Sequence, residues 1–422
     1  MDNKNTALAQ PMQVGPRMAK NRFLIQPMEC DDALPNGLFS EKSYARYEKA
    51  MRGGAGMVVM ESVTMQRECR ARNDQILIDI RDEGNKKGWA DFCRHMKEVS
   101  PDTLLIVQLN HSGEVSGNSF SKRVCAKPLH GFGGELMTEE YVDETLELYA
   151  QTSKFLYECG FDGVDIKACH GYFISQLLRP YNDRDWKYGG SWENRSRFAF
   201  ELVEKIRELV NHDDQFLIGA KVSMYEGQPG GQGHAGPDSP IIDLKESIAL
   251  IKGLEDRGCS FFIESLGNPS TTWELMSPNK NNGFDVYNHM TAADVMRKNL
   301  KPESAVICGG VSILERGKYN GLRAVEPERN NLLYWGNYLI EHGNADAIAL
   351  GRQSIADSCL PQKYLEGRED EINWCMCCDG CSELMIRQSL VGCVVHDKFY
   401  RDLVIGLRKE NGKLARIVTG DE

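Results

Sequence analysis

Nothing in this 422-residue chain approaches the roughly 18 consecutive apolar residues that a membrane-spanning helix needs, so no membrane partner is expected. The first ten residues, Met1 to Gln10, are polar and lack the apolar centre of a secretion signal. Positive charge is in deficit. Fifty Lys and Arg against 61 Asp and Glu leave a net charge of −11, which argues against a nucleic-acid partner, whose grip requires a basic face. There is no internal repeat and no low-complexity tract. Nor is there a disulfide framework: of 14 cysteines, nine are scattered singly between Cys30 and Cys359 and five crowd between Cys375 and Cys393. That usage reads as reduced thiols of a cytoplasmic protein with one candidate metal segment.

What is present is the composition of an ordinary globular protein, 41% apolar and 26% charged. Short apolar runs alternate with helical patterns. Strands are predicted at Phe23–Met28, Gly56–Ser62, Leu104–Leu109, Gly163–Ala168, Phe216–Ser223, Phe261–Leu266, Ala305–Gly310 and Ala345–Gly351. Between them lie helices such as Ser40–Gly53, Gly88–Val99, Thr138–Glu158, Ser191–Val210 and Leu244–Arg257. Strands each followed by a crossover favour a closed parallel α/β barrel, the (β/α)8 TIM-barrel architecture, over an open sheet. The pattern stops after about Pro361, so the chain divides into a barrel domain, 1–362, and a short cysteine-rich extension, 363–422. In that extension Asn411-Gly412 between two apolar-containing runs predicts a β-hairpin. Asn110 to Met137 is a long loop on the face where such barrels work. Gly231-Gln-Gly-His-Ala-Gly236 satisfies the dinucleotide pattern G-x-G-x-x-G, but Pro237 follows where a helix is required, so it reads as a loop over the fifth strand end.

The stretch that organises the chain is Asp162-Gly-Val-Asp-Ile-Lys-Ala-Cys-His-Gly-Tyr-Phe173, continuing to Tyr188-Gly-Gly-Ser-Trp-Glu-Asn-Arg-Ser-Arg-Phe198. A short apolar strand delivers Lys167, His170 and Tyr172 within six residues, at the carboxyl edge of a sheet where α/β enzymes keep their chemistry. With the Tyr-Gly-Gly-Ser-x-Glu-Asn-Arg-x-Arg-Phe motif that follows, it resembles the old yellow enzyme family of flavin-dependent reductases. In particular it resembles the barrel domain shared with 2,4-dienoyl-CoA and 2-enoate reductases, from about Pro11 to about Gln362.

The resemblance implies FMN at the barrel mouth. Gly309 and Gly310, ending the seventh strand, and Gly351 and Arg352, ending the eighth, match the phosphate cradle, where glycines admit backbone N–H groups and Arg grips bidentately. Gln108 can donate and accept at once along the ring edge. Lys221 matches the family cation near N1 and O2, where Arg is commoner. Pro27, Met28 and Ser62 lie where the family touches the ring through backbone.

The implied reaction is reduction of an activated alkene. NADH or NADPH reduces the flavin, and hydride then passes from N5 to the β-carbon of a small α,β-unsaturated carbonyl or carboxyl compound. His170 matches one of the family's two oxyanion donors and Lys167 stands where the other is usually His; alternatively Lys167 points away and His170 acts alone. Tyr172 matches the acid that protonates the α-carbon. The alternatives are a demethylase-type enzyme of the same fold and an electron-transfer subunit without ene-reductase turnover. Paired His or Asp ligands of a barrel hydrolase are absent from the strand ends.

Cys375, Cys378, Cys381 and Cys393 form C-x2-C-x2-C-x11-C, with Cys377 extra. Three thiolates at this spacing plus a distant fourth can hold a 4Fe–4S cluster. The larger relatives use C-x2-C-x3-C-x11-C, one residue longer in the middle gap. Structural zinc and an unmetallated remnant stay open beside iron–sulfur. A homo-oligomer, and a separate flavoprotein that supplies electrons, also stay open as partners.

Overall fold

A computed structural model describes residues 3–117, 120–129, 133–278, 285–314, 326 and 329–412. Eight parallel strands close into a barrel in chain order: β1 (Phe23–Ile25), β2 (Met57–Thr64), β3 (Leu104–Asn110), β4 (Gly163–Ala168), β5 (Leu217–Ser223), β6 (Phe261–Ser265), β7 (Ala305–Cys308) and β8 (Ala347–Leu350), which returns to β1. The expected TIM barrel is therefore the fold. The strand interiors are buried throughout, as parallel strands covered on both faces must be.

Local chemistry sets the helix boundaries. Ser40 opens Glu41–Arg52 with a reciprocal capping box, and Thr138 accepts from Tyr141 N to open Glu139–Cys159. That helix ends on Gly160, and Ser191 caps Trp192–Leu209. Helices pack on the outward face of the strands in the larger apolar core. Inside the barrel the lower layers are a second apolar core of Leu24, Met57, Val59, Ile106, Leu217, Phe261, Ile263 and Ile307. Met12, Val14 and Ala19 of an N-terminal hairpin close it from below.

The upper interior layers are polar. Gln108 lies in register with Asp165, and Lys167 with Lys221. The barrel thus has a dry floor and a charged mouth at the strand carboxyl ends, where the loops gather.

The extension corrects one expectation. The first arm of the predicted hairpin is helical, Lys398–Asn411, with Asp397 accepting from Phe399 N at its start. Tyr400, Leu403, Val404 and Leu407 recur at helical spacing and pack with Cys30, Leu384 and Val391 in a small third core. Packing of that stripe outweighs the local turn signal, and Gly412, at φ 73°, follows the helix end instead of turning a hairpin. The second arm lies outside the described residues. Among the described residues no helix is long and apolar enough to cross a membrane.

Candidate functional site

The β4 end carries most of the chemistry. Ala168 finishes the strand, His170 takes the left-handed conformation at φ 63°, and Tyr172 precedes the short helix Phe173–Leu178. Gly171 follows His170 at φ 72°, where a Cβ would strike Asn268 Nδ2 and Arg179 Nη2. This tight turn aims His170 and Tyr172 back over the barrel. A cavity of about 160 Å³ opens there, lined by Lys167, His170, Tyr172 and Lys221. Pro27, Met28, Gly310, Gly351 and Arg352 also line it. Cys381, Ser382, Met385 and Val391 add a wall from the extension.

Three of the residues expected at the site sit behind this lining. Gln108 donates to Asp165 Oδ2 at 2.6 Å, one layer below the mouth. Ser62 accepts from Lys167 Nζ at 2.9 Å. Gly309 N–H donates to Glu264 Oε2 at 3.0 Å, so that arm of the expected phosphate cradle is already engaged.

Lys167 points into the site. Besides Ser62 it meets Glu29 Oε1 at 3.4 Å, and its ammonium lies 3.3 Å from the centre of the Tyr172 ring. Tyr172 donates its hydroxyl to the same Glu29 oxygen at 3.3 Å, while Arg72 Nε pairs with the other at 3.2 Å. Burial pushes the Tyr172 phenol well above its ordinary range and Glu29 adds to this, with Arg72 opposing. Its proton is held. Burial alone would raise the Glu29 carboxyl, but Lys167 and Arg72 together bring it below the ordinary value. Burial likewise lowers Lys167, against the pull of Glu29.

His170 Nε2 lies 2.6 Å from Ser265 Oγ, at the β6 end. Burial, reinforced by Lys221 and Lys167, drives its pKa well down, so it is a neutral imidazole. His289 is the opposite case. Its Nδ1 faces Glu264 at 3.0 Å and its Nε2 faces the Leu275 carbonyl at 2.9 Å. Both partners are acceptors, so both nitrogens carry hydrogen. Burial pulls its pKa down, but Glu264 and Leu275 outweigh it. This buried pair braces Gly310, whose φ of 69° brings the backbone against the His289 ring.

Glu29, Arg72, Ser265, Glu264 and His289 escaped the sequence reading. Only Glu29 carried a usable signal, a carboxylate immediately after Pro27-Met28 at the first strand end.

The donor set fits a flavin. Lys221 is 5% exposed and lines the cavity with no ion-pair partner among the described residues, which leaves a buried cation facing the space. Arg352 reaches the same space from the β8 end, while also pairing with Asp379 at 2.8 Å and donating to the Pro278 carbonyl. Lys221, Arg352, Gly310 and Gly351 are the residues that would hold FMN.

The cysteines give a different result. Cys375, Cys377, Cys378, Cys381 and Cys393 surround one pocket of about 20 Å³ beside Arg352 and Asp379. Among the described residues no three His, Cys, Asp or Glu side chains are placed to hold a metal ion. In this arrangement the thiols do not make a ligand set. Gly231 to Gly236 lies in a loop joined to its surroundings by a bridge from His234 to Ile242 and opens no helix.

Asp165 offers a test of the charged interior. It is fully buried, with Oδ1 unpartnered, and burial pushes its carboxyl up to about 7 against the pull of Gln108 and Lys221. The unfolded chain releases this proton near the ordinary 3.8 and the folded chain keeps it, so stability falls as pH rises from about 4 to about 7. Asp165→Asn keeps an acceptor for Gln108 and removes that loss. Thermal denaturation is expected to show a higher Tm than wild type at pH 8 and nearly the same Tm at pH 4.5; equal shifts at both would contradict the assignment.

The family model described as NADH:flavin oxidoreductase / NADH oxidase family matches residues 7–257. An NADH oxidase of Thermoanaerobacter brockii is 27% identical over 388 residues, covering 90% of this chain and 54% of that protein. A cinnamate reductase of Clostridium sporogenes is 26% identical over 448 residues, covering 100% of this chain and 62% of that protein. The chain thus spans a little over half the length of these relatives. A 2-naphthoyl-CoA reductase in complex with 2-naphthoyl-CoA superposes with a TM-score of 0.77 at 19% identity, over 95% of this chain and 58% of that one, a likeness of fold.

Proposed function

The chain belongs to the NADH:flavin oxidoreductase / NADH oxidase family, the old yellow enzyme family, and on that footing we propose that it is an FMN-dependent ene-reductase supplied with electrons by NADH or NADPH. Its substrate is a small α,β-unsaturated carbonyl or carboxyl compound. The observation that carries this reading is the convergence of neutral His170, cationic Lys167 and protonated Tyr172 on one cavity that Lys221 also lines. Bound FMN supplies two-electron hydride chemistry that no side chain here provides.

The protein's own groups supply the rest. Lys167 and His170 present a cation and a ring N–H to the substrate oxygen, where negative charge gathers as the alkene is reduced. Ser265 orients the His170 ring through the 2.6 Å contact. Tyr172 brings the proton that completes the product. Once that proton leaves, the phenolate lies under the Lys167 ammonium and near Arg72, two cations that stabilise it. Burial, with Glu29 beside it, keeps the proton on the phenol until substrate arrives. Residues 1–362 hold these groups, and the extension, 363–422, closes one wall. The cavity lining carries Arg72, Lys167, Lys221, Arg352 and the His289 imidazolium against Glu29 and Glu264, an excess of positive charge that disfavours a protonated amine substrate and hence the demethylase reading.

The test is anaerobic. FMN-loaded protein should lose its flavin absorbance on addition of NADH or NADPH and regain it on addition of an enone or 2-enoate, with one saturated product formed per nicotinamide consumed. Bleaching that no unsaturated compound reverses would leave only the electron-transfer reading.

A further inference from the structure

Arg72 is brought to the cavity by the segment that follows β2, and the proposed reaction uses its charge beside Tyr172 but neither of its terminal NH2 groups. Its Nε is occupied by Glu29 at 3.2 Å. Among the described residues its two terminal NH2 groups have no hydrogen-bond or ion-pair partner, although the side chain is only 16% exposed and lines the cavity. A guanidinium fork that lines the cavity is thus anchored at one edge, with no hydrogen bond at its other donors among the described residues. Planar forks of this kind match a carboxylate in two parallel hydrogen bonds.

Charge points the same way. Lys221 and Arg352 are the cations assigned to the cofactor. At the other end Glu29 is shared by Arg72 and Lys167, and the buried Asp31 is a further charged neighbour of Arg72. Two cations beside the open space favour an anionic ligand, and a carboxylate offers the fork two oxygens where a ketone, amide or thioester offers one.

We propose that Arg72 is the specificity-determining residue of the site and that it binds the carboxylate of a free 2-enoate, making the substrate an unsaturated acid instead of an enone or an acyl thioester. This inference rests on the ene-reductase reading for the reaction but not for the binding, so the two can fail separately.

The experiment measures binding first. Calorimetric titration of FMN-loaded protein with butanoate and 3-phenylpropanoate, and with the matching amides, reads carboxylate capture without turnover. At least one acid should bind, at least about 30-fold more tightly than its amide, and Arg72→Gln should abolish that preference. Arg72→Lys, which retains the charge facing Glu29 but lacks the fork, should keep part of it and serves if the Gln variant does not fold. Turnover of cinnamate, cinnamamide and 4-phenyl-3-buten-2-one then reports on the reaction: Arg72→Gln should raise KM for cinnamate by the same factor relative to KM for the ketone, whereas any slowing of proton delivery by Tyr172 should lower kcat for all three alike. Acids that bind no better than amides, or a variant that weakens all probes in parallel, would overturn the proposal. Binding that follows the prediction with no turnover of any alkene would instead overturn the ene-reductase reading and leave the carboxylate site standing.

Discussion

Tyr172→Phe is expected to slow alkene reduction by about 10²–10⁴-fold while leaving reduction of the flavin by NADH or NADPH within a few-fold of wild type. The reason lies in what the phenol does in each half-reaction. Nicotinamide needs no proton from the protein to deliver hydride, whereas the reduced alkene must receive one, and Tyr172 is the cavity-lining hydroxyl held protonated next to two cations. Removing one oxygen leaves the ring under Lys167 in place and frees the Glu29 oxygen it occupied, so packing changes little. Stopped-flow absorbance at the flavin band separates the two half-reactions. Equal slowing of both, or of neither, would remove Tyr172 from the role of acid.

Arg179→Met should be the most destabilising single change on the catalytic face. Arg179 is 1% exposed and pairs with Glu114 at 2.7 Å and with Glu226 at 2.7 Å and 3.1 Å, both of them buried. These bonds join three loops: Gly113–Val115 after β3, the segment after β4 and the loop after β5. Methionine fills the volume but strands two carboxylates in a dry interior, a loss of about 3–5 kcal/mol. Because Arg179 Nη2 also packs against Gly171, the turn that presents His170 and Tyr172 should loosen, and kcat should fall with stability. Urea denaturation and steady-state turnover check both; a variant as stable as wild type would show that the carboxylates find other partners or protons.

The barrel was legible because its signals are local and repeated. Gly163–Ala168 is placed to the residue, and the helices after Ser40, Thr138 and Ser191 begin on the caps their sequences announce, whereas the helix expected at Gly88–Val99 begins earlier, at Glu83 on the Asp82 cap. At Asn411-Gly412 the same local reasoning misled. A turn dipeptide competes there with a helical stripe whose partners, Cys30 and Leu384, are distant in sequence. The site divides along the same line. Lys167, His170 and Tyr172 sit together in the chain and were found together. Glu29 reaches Lys167 across 138 residues and Tyr172 across 143, and Arg72 comes from a different loop, so only closure of the barrel unites the carboxylate with the three groups it holds. Gln108 shows a further limit: its amide suits a flavin edge, but its register neighbour Asp165 takes it.

The proposed activity requires FMN to bind in the barrel mouth against Lys221. Its most direct test is titration of FMN fluorescence with wild-type protein and with Lys221→Met. The account predicts quenching that saturates at one FMN per chain and binding weakened at least about 30-fold in the variant, since Lys221 is a buried cation with no other ion-pair partner among the described residues. Protein that takes up no FMN, or a variant that binds it as tightly as wild type, would contradict it.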